Sequence, residues 1–161
     1  MSESLFTIAE IAVAVVGFIA IVTVLREKSD MGELDLVLTR NIITEPIAVV
    51  MLALLPSVLA NLNIDLDINY RLSNFIAAIV HLFLTGWIYT RFSPHFGKGM
   101  NRILTSSLCA IPVAICILQL CAAAGYFTDY SFFLFVLGLY WLLGMCFVNF
   151  LVLFQRIHGD T

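Results

Sequence analysis

Charged residues are scarce in this chain: they make up 12% of its 161 residues, whereas hydrophobic residues make up 61%. The mean hydropathy of +1.03 is too high for a water-soluble domain of this size. The net charge is −3, and no basic face or run is present, which excludes a nucleic-acid partner. The longest connecting segments, 26–40 and 61–72, are too short to hold a soluble catalytic domain.

Motifs of known chemistry are also missing. The sequence contains no HExxH, no GxSxG and no paired His/Cys spacing for zinc. No lysine lies in an apolar stretch, which excludes a retinal-type Schiff base. His81 is the single histidine within such a stretch, which excludes a haem with two histidine ligands. The sequence therefore predicts a protein that is not an enzyme and that holds no metal or cofactor.

The few cysteines are predicted to pack rather than to form disulfides. Cys109, Cys116, Cys121 and Cys146 all fall inside apolar segments, and no CxxC pair or loop cysteine is present. The start, MSESLF, lacks the basic region and the cleavage site of a signal peptide. We therefore expect the first apolar stretch to be retained as a membrane span.

What the chain does have is five apolar stretches of about twenty residues, the length that an α-helix needs to cross a bilayer. They predict an all-α fold, a single transmembrane domain over 1–161 that forms a bundle of about five helices. The predicted spans are 5–25, 42–62, 72–91, 103–125 and 132–154.

Prolines and an amphipathic segment add detail to these predicted spans. Pro46, Pro56 and Pro112 are predicted to kink their helices. Apolar residues recur at helical spacing over 32–43, which predicts a helix along the membrane interface. The alternative is one long helix with a kink at Pro46.

The distribution of basic residues predicts the orientation. Seven of the eight lysines and arginines fall in 26–40, in 91–102 and in the C-terminal tail, and only Arg71 lies on the opposite side. Cytoplasmic segments carry such an excess, so the N-terminus is predicted outside and the C-terminus in the cytoplasm. Trp87 and Tyr89 then lie near the inner interface, where amphipathic rings are favoured.

The opening LFTIAEIAVAVVGFIAIVTVL and the LLP at 54–56 resemble a group of uncharacterised short multi-span bacterial proteins. The resemblance covers mainly the first two spans. It implies a bacterial inner membrane, but no activity and no site residues.

Polar residues within the spans are the candidate functional residues, because polar groups are costly in hydrocarbon. Read as helical wheels, the spans each carry polar or small residues on one face. These predict the candidates for a pore or a gate, which are Glu10, Glu45, His81, Gln119 and Asn149.

Two of these candidates have ordinary explanations. Glu10 shares a face with Ala14 and Gly17, small residues that are typical of helix contacts in membranes. Glu45 precedes Pro46, so it could lie near a helix N-terminus, where a carboxylate is stabilised by the helix dipole and free amides. If the polar faces meet, they form a series of polar groups across the membrane. The series begins with Glu10 and Gln119 in the outer third, passes His81 near the centre and ends in the inner third.

Our first hypothesis is a homo-oligomer with an ion- or proton-conducting path. Glu10 and Glu45 would attract cations at the two mouths, His81 would be a gate, and Gln119 and Asn149 would line the path. The alternative is a non-conducting anchor or sensor subunit, which would bind a cytoplasmic protein through 26–40 and 91–102. A third hypothesis is a binder of membrane lipids or small apolar ligands, with a pocket around Trp141 and Pro56.

Overall fold

The computed structural model describes residues 2–24, 32–92 and 102–159 of the single chain. These residues form five α-helices and one short 3-10 helix at Thr128–Tyr130, and no strand occurs within these ranges. The predicted all-α fold is confirmed. The five helices are α1 (Ser2–Val24), α2 (Glu33–Ala60), α3 (Leu66–Phe92), α4 (Arg102–Ala123) and α5 (Ser131–Gly159).

Four of these helices, α1, α2, α3 and α5, are long and apolar enough to cross a membrane. Helix α4 has 22 residues, and the part of it whose side chains are described, Ala110–Ala123, is a shorter apolar stretch. At 1.5 Å per residue its length is about 33 Å, close to the thickness of the hydrocarbon layer. Residues 26–31 of the predicted cytoplasmic docking segment 26–40, and residues 93–101 of the segment 91–102, lie outside the described residues.

Helix α2 is one continuous helix, so 32–43 is not a separate interfacial helix, and the long-helix alternative holds. The physical reason is burial. Leu38 and Ile42 pack with Ile19 of α1 and with Cys146 and Leu153 of α5, so the apolar face of this segment covers the bundle instead of facing the interface.

Three prolines lie inside helices, and they are Pro46, Pro56 and Pro112.

Helix α3 is longer than the predicted span 72–91. Helix α3 begins at Leu66, so it also includes Asn69 and Tyr70, both of which are buried. At this end the helix keeps polar side chains because they find partners in neighbouring helices.

Helix α5 is central, since it contacts each of the other four helices, whereas α1 packs chiefly on α2. Successive helices alternate in direction. We call the end that holds 61–65 and 124–130 the turn end, and the opposite end the Trp87 end. The main apolar core joins α1, α2, α3 and α5 around the fully buried residues Leu5, Ile8, Val49, Ala77, Phe135 and Leu139.

At the turn end, α3 holds the last turn of α4. Tyr126 donates its backbone N–H to the Cys121 carbonyl across Gly125, whose φ of +93° lies in the left-handed region that favours glycine. The Arg71 Nε donates to the Ala123 carbonyl at 3.1 Å. A cationic donor thus satisfies a carbonyl at the negative end of α4.

Candidate functional site

The polar faces of α2, α3, α4 and α5 turn toward the interior of the bundle. The predicted candidates on these helices are all buried, with exposed fractions of 6% or less: Glu45, His81, Gln119 and Asn149. They lie in two groups at different depths, one around Glu45 and one around His81.

Helix α1 does not contribute its polar face to this interior. Glu10, Ala14 and Gly17 are exposed, whereas Leu5 and Ile8 on the other side of the helix are buried. A Cβ added at Gly17 would meet no atom within 4 Å. Within one chain, Glu10 is therefore not brought together with the other candidates.

Glu45 of α2 and Asn149 of α5 form the group nearer the Trp87 end. The Asn149 Nδ2 donates to both carboxylate oxygens of Glu45, at 3.1 Å to Oε1 and 3.2 Å to Oε2. Only 1% of Glu45 is exposed. Because α2 begins at Glu33, about three turns precede Glu45. The explanation of Glu45 as a residue at a helix N-terminus is therefore wrong.

Pro46 and Cys146 strengthen the same contact between α2 and α5. A proline has no N–H, so Pro46 leaves the Ile42 carbonyl without its donor in the helix. The Cys146 Sγ lies 3.4 Å from the Ile42 oxygen and donates to it. The free thiol therefore supplies a hydrogen bond at the position that Pro46 leaves open, which is more than the packing role that the sequence predicts.

His81 of α3 is the centre of the second group. Its Nδ1 lies 2.9 Å from the Ala77 carbonyl oxygen, and its Nε2 lies 3.1 Å from the Gly138 carbonyl oxygen of α5. A neutral imidazole carries one N–H and can donate to only one of these acceptors. A doubly protonated ring would donate to both, so an added proton finds an acceptor already in place.

Gln119 of α4 lies beside His81, although the sequence places it in the outer third of the membrane. A Cβ added at Gly138 would collide with the Gln119 Nε2 and would lie 2.7 Å from the His81 Cε1. The Gln119 Nε2 donates to the Leu134 carbonyl at 3.5 Å, and its buried Oε1 has no partner among the described residues. Gly138 thus provides the space in which the imidazole and the amide meet.

A third polar group, near the turn end, contains residues that the sequence analysis missed. The Asn69 Nδ2 donates to the Pro56 carbonyl at 2.8 Å, and Ser73 donates to the Asn69 Oδ1 at 3.3 Å. The Asn74 Nδ2 donates to the Ser131 carbonyl of α5 at 2.8 Å. Asn69 and Ser73 are four residues apart, a spacing that places both on one face of a helix. The predicted span begins at residue 72 and so does not include Asn69.

A small pocket of about 110 Å³ lies between α2 and α3 at the Trp87 end. Its lining includes Arg40, Asn41, Thr44, Glu45, Phe83 and Trp87. The buried Nδ2 of Asn41 has no hydrogen-bond partner within the described part of the chain. Neither Trp141 nor Pro56, the centre of the predicted apolar-ligand pocket, lines this cavity.

Two arginines lie against Trp87 next to this pocket. The guanidinium carbons of Arg40 and Arg91 are each 4.9 Å from the centroid of the Trp87 ring. Such cation–π contacts hold the long side chains in place while their charged ends stay exposed.

Metal ligation has no support within the described ranges, where no three His, Cys, Asp or Glu side chains lie close enough together to hold an ion. Cys116, Cys121 and Cys146 are free thiols. Cys116 donates to the Ala78 carbonyl of α3, with the sulfur 3.7 Å from the oxygen.

The chain matches no protein-family model, no curated protein and no solved structure. The resemblance to short bacterial membrane proteins stays a prediction. Any functional conclusion therefore depends on the geometry of the buried polar groups.

Proposed function

We propose that this protein carries protons across a membrane through the interior of its own helix bundle, with Glu45 and His81 as the proton-binding groups. The observation that carries the proposal is the burial of two titratable side chains at two depths between α2, α3 and α5. Ionisable groups inside membrane bundles are costly to keep and are typical of proton and ion paths.

Glu45 is the group that exchanges protons at the Trp87 end. It lines the pocket that Arg40 and Trp87 also line, so it is connected to that surface through the pocket. An isolated carboxylate in hydrocarbon is strongly unfavourable, and the single amide of Asn149 does not replace a full hydration shell. A carboxylate in this setting is stabilised when it takes up a proton or a cation.

His81 relays the proton at mid-depth. Both ring nitrogens face carbonyl oxygens, which accept hydrogen bonds but carry no proton to give. In this proposal the ring therefore takes its proton from, and gives it to, a water molecule that enters the path, and the two carbonyls stabilise the doubly protonated form. The contacts with Gly138 and Gln119 fill the space beside the ring. This packing favours protons over hydrated ions, because a proton moves by exchange along hydrogen bonds and needs no open channel.

The polar group of Asn69, Ser73 and Asn74 continues from His81 along α3 toward the turn end. We propose that the Trp87 end lies on the cytoplasmic side of a bacterial inner membrane, the side on which the basic residues predict it. In this proposal the path lies within each chain, so Glu10, on the outer face of α1, has no part in it.

The test is proton flux into liposomes that contain the purified protein and an internal pH dye, under a potassium-diffusion potential. We expect flux in the unmodified protein. We expect Glu45→Gln and His81→Gln to lower it to the level of protein-free vesicles, because each keeps a hydrogen-bonding side chain and loses the titratable group.

Glu10→Gln is the matched control, because it removes a carboxylate from the exposed face of α1 and should leave the flux unchanged. Circular dichroism and gel filtration would establish that every variant is folded. Absence of flux in the unmodified protein, or unchanged flux in both interior variants, would contradict the proposal. A loss of flux in Glu10→Gln would instead indicate a path between copies.

A further inference from the structure

We infer that the pocket between α2 and α3 at the Trp87 end binds the headgroup of an amino-phospholipid, with the phosphate on Arg40 and Arg91 and the ammonium on Glu45. The inference does not depend on proton transport. It concerns a binding site, and its test needs no flux measurement.

Charge of both signs is arranged around this pocket at different depths. Arg40 lines the pocket, and Arg91 lies beside it against the same Trp87 ring. Both arginines are exposed, each with its guanidinium carbon 4.9 Å from the ring centroid. Glu45 is 1% exposed and still lines the cavity, so it forms the deeper part of the lining. A ligand that enters from the surface therefore meets positive charge first and negative charge behind it.

The bound group must be small and must carry both charges. The pocket volume of about 110 Å³ excludes a large polar ligand. Guanidinium groups prefer phosphate oxygens, and an N–H-bearing ammonium can donate hydrogen bonds to a carboxylate. An ethanolamine-type headgroup meets these requirements, whereas a trimethylated headgroup has no N–H to donate.

An unsatisfied polar group in the same lining supports a ligand. Asn41 is 3% exposed, and its Nδ2 has no hydrogen-bond partner among the described residues. Buried amide donors without a partner are rare, because each costs the desolvation of the group. A phosphate or ester oxygen at this position would supply the acceptor after a small movement of the side chain.

The surroundings of the pocket favour a lipid over a free solute. Phe83 lines the pocket, is 69% exposed and belongs to a helix that is apolar enough to cross a membrane. The cavity is thus bordered on one side by surface that faces acyl chains. Trp87 next to it is typical of the headgroup level.

The test is a binding competition on the purified full-length chain in detergent, read by native mass spectrometry. The lipids are dioleoyl phosphatidylethanolamine, its mono- and dimethylated forms, phosphatidylcholine and phosphatidylglycerol. We expect binding to fall stepwise with methylation, to about tenfold weaker for phosphatidylcholine, since each methyl removes an ammonium donor. This series uses the unmodified protein, so it does not depend on the folding of any variant.

Substitutions then assign the two charges. Glu45→Gln should abolish the preference for phosphatidylethanolamine over phosphatidylglycerol, and Glu10→Gln should retain it. Arg40→Gln and Arg91→Gln should weaken all five lipids together. Equal binding of phosphatidylethanolamine and phosphatidylcholine would overturn the inference, as would equal binding of phosphatidylglycerol by the unmodified protein or a preference that survives in Glu45→Gln.

Discussion

His81 is fixed by backbone atoms of two helices, and this makes its position insensitive to side-chain rotation elsewhere. One acceptor, the Ala77 carbonyl, is on its own helix, and the other, the Gly138 carbonyl, is on α5. The absence of a side chain at Gly138 allows this approach, because a Cβ there would collide with Gln119. A single hydrogen atom in place of a side chain therefore determines how the titratable ring packs.

Gly138→Ala is accordingly expected to destabilise the bundle. The added Cβ would lie 2.7 Å from the His81 Cε1, which is well inside van der Waals contact, so either the ring or the helix must move. Overpacking of this kind costs about 1–3 kcal/mol of unfolding free energy. Unfolding in mixed detergent–SDS micelles would measure the loss.

Gly144→Ala is the matched control, since it lies on the same helix and a Cβ there meets nothing within 4 Å. It should raise the unfolding free energy by about 0.5–1 kcal/mol, because alanine is the better helix former. Equal effects at the two glycines would show that the contact around His81 is looser than described.

Helix α2 is interrupted twice by proline and still runs without a break from Glu33 to Ala60. Near each proline, a neighbouring helix donates to a carbonyl of α2. Cys146 of α5 donates to the Ile42 carbonyl, and Asn69 of α3 donates to the Pro56 carbonyl. The part of α2 around Pro46 is therefore joined to α5 by two hydrogen bonds, one from the Cys146 thiol to the Ile42 carbonyl and one from the Asn149 amide to the Glu45 carboxylate.

This pairing predicts that Pro46 and Cys146 are energetically coupled. Cys146→Ala should destabilise the protein, and its cost should fall by about 0.5–1.5 kcal/mol when Pro46→Ala is also present, because residue 46 then supplies an N–H to the Ile42 carbonyl. A double-mutant cycle of unfolding free energies would measure the coupling. The same cycle with Cys121→Ala should give none, and zero coupling at Cys146 would mean that its thiol serves only as packing.

At the scale of the bundle, Glu45, His81, Gln119 and Asn149 face inward, whereas one polar face predicted from the sequence is exposed. That face, on α1, holds Glu10, Ala14 and Gly17. Small residues on an outward membrane face allow a second helix to approach closely. We expect copies of this chain to associate through α1, which retains the homo-oligomer of the first hypothesis while the proton path stays within each chain.

Gly17→Leu should therefore lower the associated fraction without unfolding the chain, since a Cβ at this position meets nothing within 4 Å. Energy transfer between differently labelled copies in liposomes would measure the association. Val58→Leu, on the exposed face of α2, is the control and should leave it unchanged. Equal energy transfer in the unmodified protein and in Gly17→Leu would place the contact elsewhere.

Hydropathy alone predicts the helical class and most of the helices, because about twenty apolar residues leave few alternatives to a spanning helix. The inward position of Glu45, His81, Gln119 and Asn149 also agrees with their shared faces. Periodicity cannot show which side of α1 the other helices cover, so it does not separate Glu10 from the interior candidates. Nor could it extend α3 to Asn69, because Asp67 and Arg71 interrupt the apolar pattern.

The bond between Glu45 and Asn149 joins residues 104 positions apart, and this has a consequence for synthesis. Glu45 enters the membrane with the second helix, but its amide partner arrives only with the last. Until then the Glu45 carboxylate, the Ile42 carbonyl and one nitrogen of His81 all lack their α5 partners. An unfinished chain is thus marked by unpaired polar groups in lipid, a state that membrane quality-control proteases could distinguish from the completed protein.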